Sequence, residues 1–171
     1  EKATDYINII TSELSINHKL VSTGNIPVDC IISNKYALAN NNDINFNYTI
    51  HLPKKLPVDD VSICSLLGNI LDNAIESCEK VSPSIERFIT LTIRPFNNML
   101  LISITNSSIG DYKLSKSGIF LTTKKEESNS PYHGIGMKQI RRIVKEHKGF
   151  IRISPEPDSF TLEIMLPLEY E

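Results

Sequence analysis

The feature that most constrains the fold of this chain is a helical repeat in residues 65–80, which read SLLGNILDNAIESCEK. Apolar residues recur there at steps of three and four positions: Leu67, Ile70, Leu71, Ala74, Ile75 and Cys78. On an α-helix this spacing forms one continuous apolar stripe. The repeat therefore predicts a helix that packs one face against a core and around which the other elements are organised.

Polar residues form a second stripe along the same predicted helix. Asn69 and Asn73 are one turn apart and lie about 40° from each other around the helix axis. Asp72 and Glu76 follow with the same period. Asparagine is only a middling helix former, because its side chain competes for backbone hydrogen bonds. Two of them in mid-helix indicate that a polar ligand is held there, and the alternative is an ordinary solvated face.

Length and composition restrict the class of protein. The chain has 171 residues, of which 40% are hydrophobic and 22% charged, and these values are typical of a soluble globular protein. One main domain with an appended segment fits that length. The net charge of -2 and the lack of a basic run with interleaved aromatic residues predict no nucleic-acid partner.

The chain itself is not expected to contact a membrane, because no apolar run approaches the roughly 20 residues that span a bilayer. Three cysteines without C-x-x-C spacing predict buried thiols in a reducing compartment. The four histidines have no partners at metal-ligand spacing, so no transition-metal site is expected. Because the chain starts at Glu1 and not at a methionine, we expect a cytoplasmic fragment of a membrane-bound parent protein.

The other segments predict an α+β fold. Helical spacing is found, besides the central helix, in three segments: residues 4–21, 26–39 and 135–147. Strand patterns are found in five segments: residues 44–51, 88–94, 99–105, 150–154 and 160–166. Asp59 or Asp60 is expected to cap the central helix, and Gly149 is expected at the C′ position of the last helix. These elements predict a two-layer sandwich with helices on one face of a mixed, mostly antiparallel sheet of about five strands and with an N-terminal helical extension.

A long polar loop leads into the last helix. Residues 106–133 are rich in Ser, Lys, Asn and Gly, with only a short apolar patch at 118–121. Irregular loops of this length inside a compact domain are usually functional or disordered. The helix that follows opens with His133, Gly134 and Gly136, and glycines there let backbone N–H groups approach an anion. A plain tight turn would show the same pattern.

Together these stretches resemble the ATP-binding domain of sensor histidine kinases. The segments that carry the resemblance, over residues 20–168, are LLGNILDNAIES, ITNSSIG, HGIGMKQIRRIVKEHKG and SFTLEIMLP. Such domains belong to the superfamily shared with gyrase B, a heat-shock chaperone and the mismatch-repair protein MutL. The segments TGNIPVDCIISNKYALA and TTK are most similar to those of quorum-sensing and citrate-sensor-type kinases. The resemblance implies that residues 23–171 are the catalytic domain of a protein-histidine kinase.

The resemblance also implies cofactors and site residues. ATP and Mg²⁺ are the expected cofactors, and Asn73 matches the asparagine that coordinates the metal, for which an amide oxygen is a suitable ligand. Asn69 stands where hydrolytic relatives carry a glutamate base, and an amide cannot act as a base. The pair Asn69 and Asn73 is therefore expected to serve phosphoryl transfer and not hydrolysis. The nucleotide-binding set also includes Asn106, Gly110, Lys124, His133, Gly134 and Gly136. For Lys124 the alternative is a solvated lysine on the loop.

One part of the family pattern is altered in this chain. The family's first glycine box, D-x-G-x-G, is here NSSIG, residues 106–110, so only the last glycine is kept. Asn106 can still accept a hydrogen bond from the adenine amino group, but without charge assistance. Modest ATP affinity is expected. Two alternatives stay open, namely a non-catalytic interaction module of the same fold and a gyrase-type ATPase.

The implied partners are those of a two-component system. Residues 1–22 would be the second helix of a hairpin through which the parent forms a homodimer, and a response regulator would receive the phosphoryl group. His18 is followed by Lys19, whereas the family's phosphoacceptor is usually followed by an acidic residue that helps to take its proton. We therefore interpret His18 as structural and expect the acceptor histidine outside this chain.

Overall fold

The computed structural model describes residues 21–110, 113–114, 120–121 and 135–169. Within these ranges the helices are α1 (Ile26–Asn41), α2 (Asp60–Glu79) and α3 (Ile135–Glu146). The strands are β1 (Asn45–Ile50), β2 (Phe88–Phe96), β3 (Met99–Ser107), β4 (Lys113–Leu114), β5 (Phe120–Leu121), β6 (Phe150–Pro155) and β7 (Ser159–Pro167). The helix expected over residues 4–21 lies outside the described residues.

The main sheet has five strands in the order β1-β2-β3-β7-β6. The pair β1–β2 is parallel and the other three pairs are antiparallel, so the expected mixed, mostly antiparallel sheet is confirmed. The β2–β3 hairpin turns at Asn97 and Asn98, whose φ angles of 46° and 63° are those of a type I′ turn.

A second, two-stranded ladder lies within the segment that was predicted as an irregular loop. Strands β4 and β5 pair antiparallel, with Lys113 opposite Leu121 and Leu114 opposite Phe120. The prediction of a loop over residues 106–133 is wrong here and at its start, because Asn106 and Ser107 still belong to β3. Strands of two residues are too short to show the alternation by which a strand is recognised in a sequence.

The central helix α2 packs its predicted apolar stripe into the core. It contacts α1 and α3 on its two sides and β2 and β3 beneath it. The buried residues of α2 are Ile63, Leu66, Leu67, Ile70, Leu71, Ala74, Ile75 and Cys78. The helices therefore form one layer on the sheet, and the two-layer α+β prediction is confirmed.

Helices α1 and α2 run parallel with a constant offset of 37 residues. Cys64 Sγ lies 3.7 Å from the carbonyl oxygen of Pro27, and Lys35 Nζ lies 2.6 Å from Asp72 Oδ1. Between these contacts, the Ile31 side chain packs over Gly68, where a Cβ would lie 3.8 Å from Ile31 Cδ1. A steady offset over about two turns fixes the position of α1 along α2.

Asp59, the first of the two predicted capping residues, is the N-cap of α2. Its carboxylate accepts hydrogen bonds from the Ser62 N–H at 2.9 Å and the Ser62 hydroxyl at 2.8 Å. These bonds hold the pKa of Asp59 below its usual value. Because the folded pKa is lowered, the stabilisation by this cap is present above the unfolded pKa and is lost as pH falls through the folded pKa.

The end of α3 differs by one residue from the sequence prediction. Lys148, with φ of 55°, holds the left-handed C′ position that was assigned to Gly149. The Lys148 N–H donates to Lys145 O at 3.1 Å and the Gly149 N–H donates to Val144 O at 2.8 Å, which is the Schellman arrangement. Glycine is needed at 149 for a different reason, because a Cβ there would lie 2.6 Å from Met165 O on β7.

These two positions predict opposite effects on stability. We expect Lys148→Gly to raise the free energy of unfolding by about 1 kcal/mol, because a side chain in the left-handed region costs about that amount. We expect Gly149→Ala to lower it by about 1–3 kcal/mol through overpacking against Met165 and Leu166. Urea denaturation of both variants measures these differences, and a Gly149→Ala protein as stable as the parent would contradict the packing explanation.

Candidate functional site

The candidate site lies where the first turn of α3 meets the polar side of α2. A Cβ placed on Gly136 would lie 3.0 Å from Asn69 Oδ1 and 3.6 Å from Asn73 Oδ1. Only a glycine lets the α3 backbone come so close to the two amides without moving them. The structure thus brings together three residues that the sequence predicted for one site, although Gly136 lies more than 60 positions away from the asparagines.

The orientation of the Asn69 amide is set by its own helix. Its Nδ2 group donates to the backbone carbonyl oxygen of Ser65 at 2.7 Å. Because a carbonyl oxygen can only accept a hydrogen bond, the amide nitrogen must face Ser65. The Asn69 Oδ1 atom is therefore directed toward Gly136 and presents a lone pair at the junction of the two helices.

Two further polar residues at this junction were missed in the sequence. Gln139 on α3 donates from Nε2 to the Ser65 hydroxyl oxygen on α2 at 3.5 Å, and Asn69 Nδ2 lies at the same distance from that oxygen. Ser65 is one turn before Asn69, and Gln139 is three residues after Gly136. Their helical spacing from the known candidates is the signal that could have identified both.

Asp72 belongs to the polar stripe in sequence but points to the other side of α2. Its carboxylate forms the 2.6 Å ion pair with Lys35 on α1, and the Lys35 side chain is only 15% exposed. The predicted polar stripe is therefore divided. Asn69 and Asn73 lie beside α3, whereas Asp72 ties α2 to α1.

Asn106 occupies the end of β3 and is almost completely buried, with 2% of its surface exposed. Its Nδ2 group donates to Ser107 O at 2.9 Å. Among the described residues no donor reaches Asn106 Oδ1. A buried carbonyl oxygen without a donor loses the hydrogen bond it would make to water, so the position favours a ligand that donates one.

Ser107, next to Asn106, connects the end of β3 to its neighbours. Its hydroxyl oxygen accepts from the Phe88 N–H at 3.2 Å, and the hydroxyl lies 3.2 Å from the Cys78 sulfur on α2. Burial raises the pKa of the Cys78 thiol, so the group stays neutral and acts as part of the core. These contacts attach the strand that carries Asn106 to the helix that carries the asparagine pair.

Gly110, the retained glycine of the altered box, has a structural reason of its own. Its φ of 71° is in the left-handed region, and a Cβ there would collide with the carbonyl oxygen of Pro157 in the β6–β7 turn. Glycine is therefore required here whether or not a ligand is bound. Lys124, His133 and Gly134, the other predicted site residues, lie outside the described residues and stay predictions.

A sequence model of the GHKL domain matches residues 58–167, which is more than half of the chain. The chain belongs to the GHKL domain family. The match includes α2 with the asparagine pair, the end of β3 and the glycine-led helix α3.

Two relatives are each 28% identical to this GHKL domain. They are the sensor protein RprX of Bacteroides fragilis, over 117 residues, and the sensor protein DltS of Streptococcus agalactiae, over 114 residues. The alignments cover 64% and 65% of this chain, but only 22% and 28% of the two relatives. The chain therefore spans about a quarter of the length of the proteins that it matches.

Solved structures share the fold. The catalytic domain of histidine kinase ThkA has a TM-score of 0.60 at 21% identity, over 83% of this chain and 93% of that one. The histidine kinase AdeS of Acinetobacter baumannii has a TM-score of 0.58 at 14% identity, over 84% of this chain and 64% of that one. Of the helices that the structure describes, none has the length and hydrophobicity to cross a membrane.

The contact at Gly136 predicts a variant that folds but binds poorly. We expect the free energy of unfolding of Gly136→Ala to stay within about 1 kcal/mol of that of the unsubstituted chain, because the helix preference of alanine over glycine offsets the crowding at Asn69. Nucleotide affinity should fall about tenfold, because the new methyl group crowds the Asn69 amide. Thermal denaturation and titration with a non-hydrolysable ATP analogue measure the two effects.

The matched control for that variant is Gly68→Ala, which also adds a methyl group to a helical glycine. Its Cβ would meet only Ile31 Cδ1, at an ordinary contact distance of 3.8 Å. Nucleotide affinity should not change in this control. Equal losses of affinity in the two variants would contradict the special role of Gly136.

The contact between Gln139 and Ser65 predicts a smaller loss. We expect Gln139→Leu to weaken nucleotide binding by up to about fivefold, since one hydrogen bond of this kind contributes about 1 kcal/mol. The loss should not add to that of Ser65→Ala, because both variants remove the same contact. Arg142→Leu is the control and should leave nucleotide affinity unchanged. It removes the other hydrogen bond of Gln139, in which Arg142 Nε donates to Gln139 Oε1 at 3.2 Å. Additive losses in calorimetric titrations would show that the two residues act separately.

Proposed function

We propose that the chain is the ATP-binding catalytic domain of a sensor histidine kinase, which transfers the γ-phosphoryl group of ATP to a histidine outside this chain. The observation that carries the proposal is the junction of Asn69, Asn73 and Gly136, where two side-chain amides face the first turn of α3. Membership of the GHKL family and the kinase folds that the chain resembles support the same activity.

Asn106 fits the adenine base. Its buried Oδ1 atom is an acceptor to which no described residue donates, and its nitrogen is already engaged with Ser107 O. An exocyclic amino group is the donor that such an acceptor would take from a nucleobase. The substitution of asparagine for the family's aspartate therefore keeps the acceptor and removes only the charge.

Asn73 fits Mg²⁺, because an amide oxygen is a neutral, hard ligand of the kind this cation accepts. When bound, the ATP–Mg²⁺ complex supplies the transferable phosphoryl group and neutralises the charge that develops on it. Asn69, Asn73 and the backbone at Gly136 would bind and orient the phosphates. We propose that Lys124, His133 and Gly134 contribute to the same binding.

The described side chains favour transfer to an acceptor over hydrolysis. Asn69 holds the position of the hydrolytic base, but its amide has no basic lone pair and its nitrogen is fixed on Ser65 O. Asp72, the carboxylate nearest to Asn73 in the sequence, is paired with Lys35 on the opposite side of α2. Neither group can take a proton from a water molecule at the junction.

We propose the wider role from the relatives, whose names describe sensor proteins. Residues 1–22 would form the second helix of a dimerising phosphotransfer hairpin, and residues 23–171 the catalytic domain. The parent would be a membrane-bound homodimer with this domain in the cytoplasm. A response regulator would accept the phosphoryl group from the parent's histidine.

The proposal predicts magnesium-dependent nucleotide binding that depends on Asn73. In calorimetric titrations with a non-hydrolysable ATP analogue, Asn73→Ala should weaken binding at least about tenfold when Mg²⁺ is present, since a bond to a charged group contributes about 1.5–3 kcal/mol. Without Mg²⁺ the difference in affinity between Asn73→Ala and the unsubstituted chain should be much smaller, because only the direct contact of the amide with the phosphates is then lost. Asn40→Ala, which removes an exposed amide near the end of α1, is the control.

Two results would replace the proposal with one of the alternatives. Absence of binding by the parent chain at millimolar nucleotide would indicate a non-catalytic module of the GHKL fold. Steady release of phosphate from ATP, abolished by Asn73→Ala, would indicate a hydrolytic ATPase.

A further inference from the structure

The residues that lead into α1 are attached to the domain, although the predicted division assigns Val21 to the preceding helix. Val21 is 6% exposed and belongs to the hydrophobic core. Its backbone N–H donates to the Ser33 hydroxyl oxygen at 3.1 Å, two turns into α1. The first described residue of the chain is therefore fixed both by packing and by a hydrogen bond.

The Asp29 carboxylate on α1 fixes Thr23, two residues after Val21. Asp29 Oδ1 accepts two hydrogen bonds from Thr23, from the backbone N–H at 2.8 Å and from the hydroxyl at 2.5 Å. The Thr23 hydroxyl oxygen also accepts from the Asn25 N–H at 3.3 Å. Gly24 between them has φ of 87°, so the chain turns sharply here. We call the following four residues the N-terminal clamp: Val21, Thr23, Asp29 and Ser33.

The helix that bears the clamp is in turn fixed to the helix that bears the asparagine pair. The Lys35–Asp72 ion pair and the packing of Ile31 on Gly68 join α1 to α2. Asp72 directly precedes Asn73 in the chain. A continuous set of contacts therefore leads from residue 21 to the candidate phosphate site.

We propose that Asp29 is a positioning residue for phosphoryl transfer, which fixes the direction in which the preceding segment leaves the ATP-binding domain. This inference rests on the proposed function, in which the acceptor histidine lies on the far side of residue 21. A freely jointed linker would let the domain take many orientations relative to that histidine. The clamp reduces these orientations, and reaction rates depend strongly on the placement of the reacting groups.

The test compares Asp29→Ala with Asp29→Asn in the full-length kinase. The alanine variant loses the acceptor for both Thr23 donors, whereas the asparagine variant keeps one oxygen that can accept them. We expect the KM for ATP of Asp29→Ala to stay within about twofold of the value of the unsubstituted kinase. The kcat of autophosphorylation should fall about tenfold or more. Asp29→Asn should restore most of the rate.

Two further variants separate the clamp from general effects on α1. Thr23→Val keeps the backbone donor and the side-chain shape but removes the hydroxyl, so its rate should lie between those of the parent and Asp29→Ala. Asn34→Ala removes an exposed amide on the same helix and should change nothing. Hydrogen exchange at the Thr23 amide should be faster in Asp29→Ala and unchanged in Asn34→Ala.

The outcomes separate this inference from the proposed function. An unchanged autophosphorylation rate in Asp29→Ala, with faster exchange at Thr23, would overturn the positioning role while ATP binding stands. An equal loss of rate in Asn34→Ala would overturn it as well. If Asp29→Ala does not fold, the positioning role is tested by Thr23→Val alone, through its autophosphorylation rate relative to that of the unsubstituted kinase. If the unsubstituted protein did not bind nucleotide, the proposed function itself would be overturned.

Discussion

Burial of the apolar stripe of α2 is the interaction on which the rest of the structure depends. The eight buried residues of this helix lie on the sheet and between α1 and α3. A fully buried aliphatic side chain contributes about 1.5–3 kcal/mol, so a rotation of the helix about its axis is strongly opposed. Asn69 and Asn73 face α3 because the apolar stripe fixes the rotation of α2 about its axis. Their placement beside α3 is thus a consequence of core packing.

Helix α2 forms one side of the candidate site, and segments that are distant in the sequence form the rest. Gly136 brings the start of α3 against the asparagines, and Ser107 attaches the end of β3 to Cys78 on the same helix. Each contact is made by a small or neutral group that lets backbone and helix come close together. The site is therefore built from close approach and hydrogen-bond direction, with few charges, which suits a ligand that brings its own charge and cation.

Much of the fold could be predicted because its long elements show clear periods. The stripe of α2, the alternation in β1 and the Asn97–Asn98 turn follow local rules that a sequence displays directly. The predictions failed where a local rule competed with a contact made elsewhere. Gly149 suits a helix C′ position, yet close packing on Met165 places it one residue later and leaves Lys148 in the left-handed position. The β4–β5 ladder is too short to have a period at all.

The sequence by itself determined the central helix, its two stripes and the candidate amides, because each of these depends on neighbours within a few turns. Only the tertiary structure decided how the polar stripe is divided, with Asp72 toward Lys35 and Asn69 toward Gly136. It also decided that β1 pairs parallel to β2 and that Asp29 holds Thr23. Interhelical contacts and strand pairing depend on how separately formed faces pack together. No repeat within a single segment carries that information, and this is the physical reason for the division.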